Sequence, residues 1–194
     1  MRGVEQIPWL YDACCALVER CGLGRWRQWL VEGAVGRTLD IGCGTGRNLP
    51  LVDAHVRVIG LDPAHASLLA ARRRAPGVPL VRGDAHALPF RDGAFDTVLS
   101  GLVFCSVPDP VRGLAEVRRV LKPGGTLRML EHVRATAGLK ARVQDRWQPL
   151  WMRISGGCHW NRETERTVEA AGFRIDATTR RAKGDMRRFL ARPG

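Results

Sequence analysis

Leu39-Asp40-Ile41-Gly42-Cys43-Gly44-Thr45-Gly46 is the stretch that decides the fold of this 194-residue chain. A short apolar strand runs into a glycine-rich turn, and a helix is expected to open behind it. Glycine is required where strand becomes helix because a side chain there would keep a ligand from lying against the backbone. The spacing departs from the dinucleotide fingerprint G-x-G-x-x-G, since Arg47 stands at the third glycine position, which argues against a nicotinamide or flavin dinucleotide.

Working outward, brief apolar runs alternate with helical patterns from position 37 onward, the signature of βαβ units and a parallel sheet. Strands are expected at Arg37 to Ile41, Arg57 to Leu61, Pro79 to Arg82, Phe95 to Ser100 and Thr126 to Glu131, with weaker ones at Phe173 to Thr178 and Met186 to Ala191. Each of the first five is rich in Val, Leu or Ile, as strands covered on both faces should be. The clearest helix begins at Asp109-Pro110, an N-cap acid followed by proline at the first helical position. It presents Val111, Leu114, Val117 and Leu121 on one face and stops at Lys122-Pro123-Gly124-Gly125. A second helix is expected from Arg162 to Ala171, ended by Gly172. The expected architecture is α/β: a doubly wound, mostly parallel, seven-stranded sheet with an N-terminal helical lead-in. One domain should span 1–194, with 1–35 as lead-in or cap, 36–194 as the core, and 136–165 as an insertion forming the acceptor pocket.

Three acids follow the carboxyl ends of three strands: Asp40, Asp62 in Gly60-Leu61-Asp62, and Asp84 in Gly83-Asp84-Ala85. That edge is where open α/β sheets bind ligands. A carboxylate after the second strand can accept from both hydroxyls of a ribose, and acids offset the cationic centres of a sulfonium amino acid.

Six cysteines, Cys14, Cys15, Cys21, Cys43, Cys105 and Cys158, form no C-x-x-C pair or His/Cys ladder, so neither a metal site nor a disulfide framework is expected. With no targeting signal in Met1 to Leu10 and no apolar span, the expected location is the cytoplasm. The formal net charge of +12 comes from 31 basic residues, all arginine except Lys122, Lys140 and Lys183, spread along the chain. Dispersal favours a compositional bias over a polyanion-binding patch.

The set Leu39 to Gly46, Asp84 to Phe90 (D-A-H-A-L-P-F), Phe95-Asp96-Thr97-Val98 and Val120 to Gly125 resembles the class I S-adenosylmethionine-dependent methyltransferases, in particular the ubiquinone/menaquinone-biosynthesis branch. The resemblance implies S-adenosylmethionine as cofactor, held by Asp40, Gly42, Cys43, Gly44, Thr45 and Gly46 around the methionine moiety. It further implies Asp62 and Pro63 at the ribose, Asp84 and Ala85 at the adenine, and Ser100 and Gly101 at the end of the fourth strand.

A finer resemblance, carried by Leu102 to Val107, Glu131-His132-Val133 and the stretch from Gln144 to Phe173, is to the alkyl thiol methyltransferases. It implies a thiol acceptor. A thiol must ionise to be a nucleophile, and His132, Arg162 and His159 are the cationic candidates, with His132 and Arg162 assigned to catalysis. Tyr11, Cys105, Trp151, Cys158 and Asn161 are expected to line a hydrophobic pocket built from the Trp-bearing segments of the lead-in and of 147–160, Cys158 as wall rather than nucleophile.

The expected partner is therefore a small molecule, with no specific nucleic acid and no membrane span, though peripheral membrane contact is compatible with the sequence. A phospholipid amine or a quinone ring carbon is the alternative acceptor. A nucleic-acid methyltransferase, suggested by Arg180-Arg181, Lys183 and Arg187-Arg188, ranks below, because Ser100-Gly101-Leu102-Val103 stands where base-amino methylases carry their N/D-P-P-Y/F motif. A cofactor-binding module without turnover ranks lower still.

Overall fold

The computed structural model describes Val4, residues 7–136 and residues 138–194, apart from the side chain of Cys21. The remaining residues of the Met1 to Leu10 segment lie outside the described residues. Five strands, β1 (Arg37–Ile41), β2 (Arg57–Asp62), β3 (Leu80–Arg82), β4 (Phe95–Gly101) and β5 (Leu121–His132), pair in parallel in the order β3-β2-β1-β4-β5. The order reverses between β1 and β4. Crossovers leave on opposite sides there, opening a crevice above the carboxyl ends of both strands.

Beyond β5 the sheet turns antiparallel: β8 (Met186–Pro193) pairs with β5, and β6 (Phe173–Ile175) and β7 (Arg181–Lys183) pair with β8. The sheet thus has eight strands rather than seven. The extra strand, β7, carries three exposed residues and no apolar alternation, so periodicity had nothing to register. β6 ends at Ile175, short of the expected Thr178. The Asp176 carboxylate accepts from Thr178 N (3.0 Å) and Thr178 Oγ1 (2.6 Å), an Asx turn that withdraws the backbone from the ladder.

The helices form two layers. On one face α4 (Pro110–Val120) and α6 (Thr164–Ala170) bury Leu114, Val117 and Val168 against Leu39, Ile41, Val98 and Leu127. Asp109 caps α4, accepting from Arg112 N (3.0 Å), and Pro110 supplies its first turn. On the other face Val31 and Ala34, from and just after α2 (Gly24–Glu32), meet Leu99, while α3 (His65–Arg74) sets Ala71 beside Leu49. Val98 and Leu99 thus serve opposite layers, as the two-residue repeat of a strand requires. The lead-in is α1 (Pro8–Val18), a π-helical turn over Glu19–Leu23 and α2, kinked at Gly22, whose φ of 118° suits glycine alone. The segment 136–165 is dominated by α5 (Leu139–Ser155). No helix among the described residues is long and apolar enough to cross a membrane.

Candidate active site

The glycine turn sits at the switch point. Gly42, Gly44 and Gly46 all have positive φ (61°, 54° and 79°), and a Cβ on Gly46 would stand 2.9 Å from the Ala71 backbone. The loop therefore packs against α3 only because that side chain is missing. Behind it, the three acids occupy three different environments. Asp40 is fully buried under the turn, its carboxylate accepting from Asn48 Nδ2 (2.9 and 3.2 Å); burial pushes its pKa up to about 7. Asp62 closes β2 and accepts from Gly44 N and Ala64 N (2.9 Å each), with burial raising its pKa. Asp84 is exposed, and the backbone N–H of His86 (2.8 Å) and its imidazole (2.6 Å) hold its carboxyl below the ordinary range. Asp62 presents a carboxylate held by two backbone N–H groups at the end of β2, whereas Asp40 lies beneath the turn as a buried support.

The other predicted cofactor residues are distributed around the same edge. Cys43 is buried and burial raises its thiol pKa; Pro63 is exposed beyond Asp62, its carbonyl accepting from Arg82 Nε (3.1 Å). Ala85 is buried beside Gly113 of α4. Ser100 turns its hydroxyl to Glu131 Oε1 (2.8 Å), and Gly101 lies close enough to Leu30 that a Cβ would meet it at 3.0 Å.

A polar clasp that sequence reasoning missed ties the lead-in to this edge. Thr45 Oγ1 donates to Asp12 Oδ1 (2.6 Å), Arg74 Nη2 bridges to Asp12 Oδ2 (2.7 Å), and Arg47 pairs with both Asp12 and Glu19. Arg27 donates to Glu19 Oε1 (2.9 Å) and, through Nη1, to Asn48 Oδ1 (2.6 Å), so Glu19, Arg27, Asn48 and Asp40 form one chain. Partnered guanidinium groups outweigh burial and hold both the Asp12 and Glu19 carboxyls below their usual range. No sequence period marks the pairs of Arg47 and Arg74 with Glu19 and Asp12, because ion pairs across 28 to 62 positions leave no local signal.

Next to the clasp lies a cavity of about 750 Å³. Its walls come from the lead-in (Tyr11, Cys14, Cys15, Val18, Trp26) and from the 151–160 region (Trp151, Ile154, Trp160), with Leu102, Cys105 and His132 at the sheet edge and Lys183 to Met186 at the far side. The two Trp-bearing segments are thus brought together, although only Trp26, Trp151 and Trp160 line the space. Trp151 and Trp160 stack at 4.8 Å and 14°. Trp9 and Trp147 are exposed, and Trp29 lies under the guanidinium groups of Arg128 (4.4 Å) and Arg188 (4.9 Å).

The loop leaving β4 is held by a residue the sequence did not single out on its own. Glu131, fully buried, accepts from Val103 N (3.1 Å), Phe104 N (3.1 Å), Cys105 N (3.2 Å) and Ser100 Oγ. Between these bonded residues Leu102, whose N–H donates to Leu130 O (2.7 Å), sits at φ 64°, a left-handed conformation that costs energy for a residue with a branched side chain. Arg162 grips the same loop by donating to the carbonyls of Phe104 and Val107, the latter at 2.7 Å. The Arg162 guanidinium, a catalytic candidate from the sequence, is thus engaged by backbone carbonyls of this loop. Asn161, outside the cavity lining, donates its amide to Asp145 Oδ1 (3.1 Å).

Cys105, His132 and Cys158 converge so that one ligating atom from each lies within 4.8 Å of the others. Cys158 is buried, its thiol lowered to about 4, first by the hydrogen bond with Cys105 and then by His132 and the Trp151 indole. Burial disfavours the charged imidazole of His132, but the Cys158 sulfur outweighs it and raises the pKa. The expectation of no metal-ligating cluster came from sequence spacing, which cannot see three elements meeting at one point.

In the basic C-terminal cluster Arg180, Arg181 and Lys183 are exposed, whereas Arg187 is buried and Arg188 half-buried. Arg180 pairs with Glu165 (2.5 Å), Arg187 donates to the Gly184 and Met186 carbonyls (2.9 Å each), and Arg188 covers Trp26 and Trp29.

Residues 39–129 match the methyltransferase domain family. The chain is 40% identical over 133 residues to a demethylmenaquinone methyltransferase of Renibacterium salmoninarum, aligning 66% of this chain with 56% of that one. It is 38% identical over 153 residues to the thiol S-methyltransferase TMT1B of Homo sapiens, aligning 74% of this chain with 63% of that one. The chain therefore spans roughly three-fifths of the length of these curated relatives. A solved Thermotoga maritima structure described as a SAM-dependent methyltransferase, possible histamine N-methyltransferase, superposes with a TM-score of 0.74 at 24% identity, over 98% of this chain and 97% of that one. At that identity the likeness concerns the fold.

Proposed function

We propose, from the premise that residues 39–129 are a class I, S-adenosylmethionine-dependent methyltransferase domain, that this chain transfers a methyl group by in-line displacement to a small hydrophobic thiol. The observation that carries the acceptor reading is the apolar cavity beside the switch point, with Cys105 and His132 among its lining.

The residues at the edge fit the cofactor. The positive-φ glycine turn leaves backbone open to a ligand, Asp62 holds a fixed carboxylate with lone pairs to spare for two ribose hydroxyls, and Arg27 Nη2 is buried with no hydrogen-bond partner. That orphan donor, beside Asn48, suits the carboxylate of an amino-acid moiety. In this reading Gly42 to Gly46, with Asp40 beneath them, cradle that moiety. Pro63 abuts the ribose, Asp84 and Ala85 flank the base, and Ser100 and Gly101 floor the crevice. When bound, the sulfonium supplies a methyl group that is already activated, so the chain has to position rather than activate.

Tyr11, Trp151 and the wall around Cys158 exclude water and hold the acceptor. His132 borders the acceptor at the end of β5, and Glu131 and Arg162 keep Cys105 and its loop in place. Methyl transfer to a quinone ring carbon, the reaction class named for the Renibacterium relative, is the second reading, and the same cavity would have to admit a planar ring.

The partner is a small molecule delivered from a lipid surface. Leu139, Val143, Trp147, Leu150 and Ile154 of α5 are exposed and fall within about 80° of arc on an ideal helix. Exposed Arg142, Arg146 and Arg153 flank one side of the stripe and Lys140 the other, and Ile154 is also part of the cavity wall. An apolar stripe between cations suits an anionic bilayer interface. Co-sedimentation with anionic but not neutral vesicles, abolished in Trp147→Asp, is expected; equal recovery with both kinds of vesicle contradicts it.

The test of the acceptor is S-adenosylhomocysteine release against an alkyl thiol, a demethylated quinone, an amine phospholipid and bulk RNA. Release with the thiol above the others supports the proposal, and release with the quinone alone moves the chain to the second reading.

A further inference from the structure

We propose that Cys105, His132 and Cys158 form a three-ligand site for a thiophilic divalent cation of the zinc class, with its fourth position facing the cavity. Three separate elements supply the donors: the loop after β4, the end of β5 and the loop after α5. Their ligating atoms lie within 4.8 Å of one another. Tetrahedral zinc with sulfur at about 2.3 Å and imidazole nitrogen at about 2.0–2.1 Å needs donor separations of about 3.5–3.8 Å, so the cluster has to contract by about 1.3 Å at most. Two sulfurs and one imidazole nitrogen are a soft donor set, suited to zinc over magnesium or calcium.

Each donor is backed by hydrogen bonds that do not involve its ligating atom. Cys105 N donates to Glu131 Oε2 (3.2 Å), and Cys105 O accepts from His159 N (2.7 Å). Cys158 N donates to Ser155 Oγ (3.0 Å), and Cys158 O accepts from Gln148 Nε2 (3.2 Å). Val133 N donates to Asp185 O (2.7 Å), which pins the strand end carrying His132. Such backing keeps ligands convergent before an ion arrives. Cys105 and Cys158 are buried, whereas His132 and Cys105 reach the cavity. Three protein ligands with an open side is the layout of catalytic rather than structural zinc.

Two thiolates neutralise the cation, and the Arg162 guanidinium, near enough to interact electrostatically with Cys105, Glu131 and Cys158, adds positive charge beside these anionic groups.

The use of the open position rests on the thiol reading above; the site itself does not. An acceptor thiol binding there gives its proton to solvent and ligates as thiolate. As its sulfur forms the new carbon–sulfur bond, the donor's methyl–sulfonium bond breaks and the electron pair returns to the donor sulfur. The resulting thioether is neutral, a weaker ligand than the thiolate, and leaves.

The test is titration of the reduced, metal-free chain with cobalt(II) chloride, watching for sulfur-to-cobalt charge transfer and tetrahedral d–d absorption. Saturation at one cobalt per chain is expected, with the charge-transfer band roughly halved or lost in Cys105→Ser and Cys158→Ser, the d–d bands shifted in His132→Gln, and both retained in Cys14→Ser. Calorimetric binding of S-adenosylhomocysteine and an unchanged melting temperature establish that the variants fold. No charge transfer in the folded wild-type chain, or a band of full wild-type intensity in both serine variants, overturns the site. Adding an alkyl thiol is expected to produce a further charge-transfer band. If cobalt binds through the triad but the thiol changes nothing and another acceptor is turned over, the thiol reading fails while the cation site stands. If thiol turnover persists undiminished in chelated, metal-free enzyme, the thiol reading stands and a role for the cation in it is refuted.

Discussion

Glu131 should matter more to this molecule than any residue that touches a ligand. Its carboxylate is fully buried and is the acceptor for three consecutive backbone N–H groups, Val103, Phe104 and Cys105, and for the Ser100 hydroxyl. Burial raises its pKa even against those four donors. Glu131→Ala leaves all four donors buried with no acceptor. At about 1–3 kcal/mol for each unsatisfied group, partly relieved by relaxation and water entry, a net loss of about 3–5 kcal/mol is expected. For a chain of this size that lowers the melting temperature by about 6–20 °C. Glu131→Gln keeps Oε1 for Val103, Phe104 and Ser100 but turns an amide N–H toward Cys105 N, so a loss of about 1–3 kcal/mol is expected. Urea unfolding followed by Trp fluorescence reads both numbers. A Glu131→Ala variant within about 0.5 kcal/mol of wild type, the range of ordinary surface substitutions, would refute the reasoning.

Other predictions follow from the same geometry. Gly46→Ala sets a Cβ 2.9 Å from the Ala71 backbone at φ 79°, so a loss of about 1–3 kcal/mol together with cofactor affinity is expected by melting and calorimetry; a wild-type profile contradicts the packing. Asp62→Ala removes a charged acceptor for two hydroxyls, worth about 1.5–3 kcal/mol each, and S-adenosylhomocysteine should bind about 10²–10⁴ times more weakly; unchanged affinity would displace the ribose from Asp62. Asp12 and Glu19 have folded pKa values below their unfolded ones, so the clasp's stability is full above about pH 4.5 and is lost as pH falls through the folded values. Wild type should therefore lose more melting temperature between about pH 5 and pH 3 than Asp12→Asn/Glu19→Gln, and parallel curves would show that the clasp contributes nothing.

Much of the parallel half was legible in the sequence because its determinants are local. The Arg37 to Ile41 strand, the positive-φ turn behind it and the Asp109-Pro110 helix start each depend on a handful of neighbouring residues. What was not legible depends on distant partners. Asp40 looked equivalent to Asp62 in its place at a strand end, yet Asn48, itself gripped by Arg27, encloses it beneath the turn. Arg162 was legible as a cationic candidate, but its bonds to the Phe104 and Val107 carbonyls were not. Cys105, His132 and Cys158 read as unrelated residues in one dimension, because they come within reach of one another only where the loops after β4 and α5 meet the end of β5.

The most direct test of the central claim is mass-spectrometric detection of the methyl thioether formed from an alkyl thiol and methyl-deuterated S-adenosylmethionine. The account predicts a deuterated thioether from the wild-type chain and almost none from Asp62→Ala at the same donor concentration. Tight cofactor binding by the wild type with no labelled thioether at any thiol concentration would contradict it.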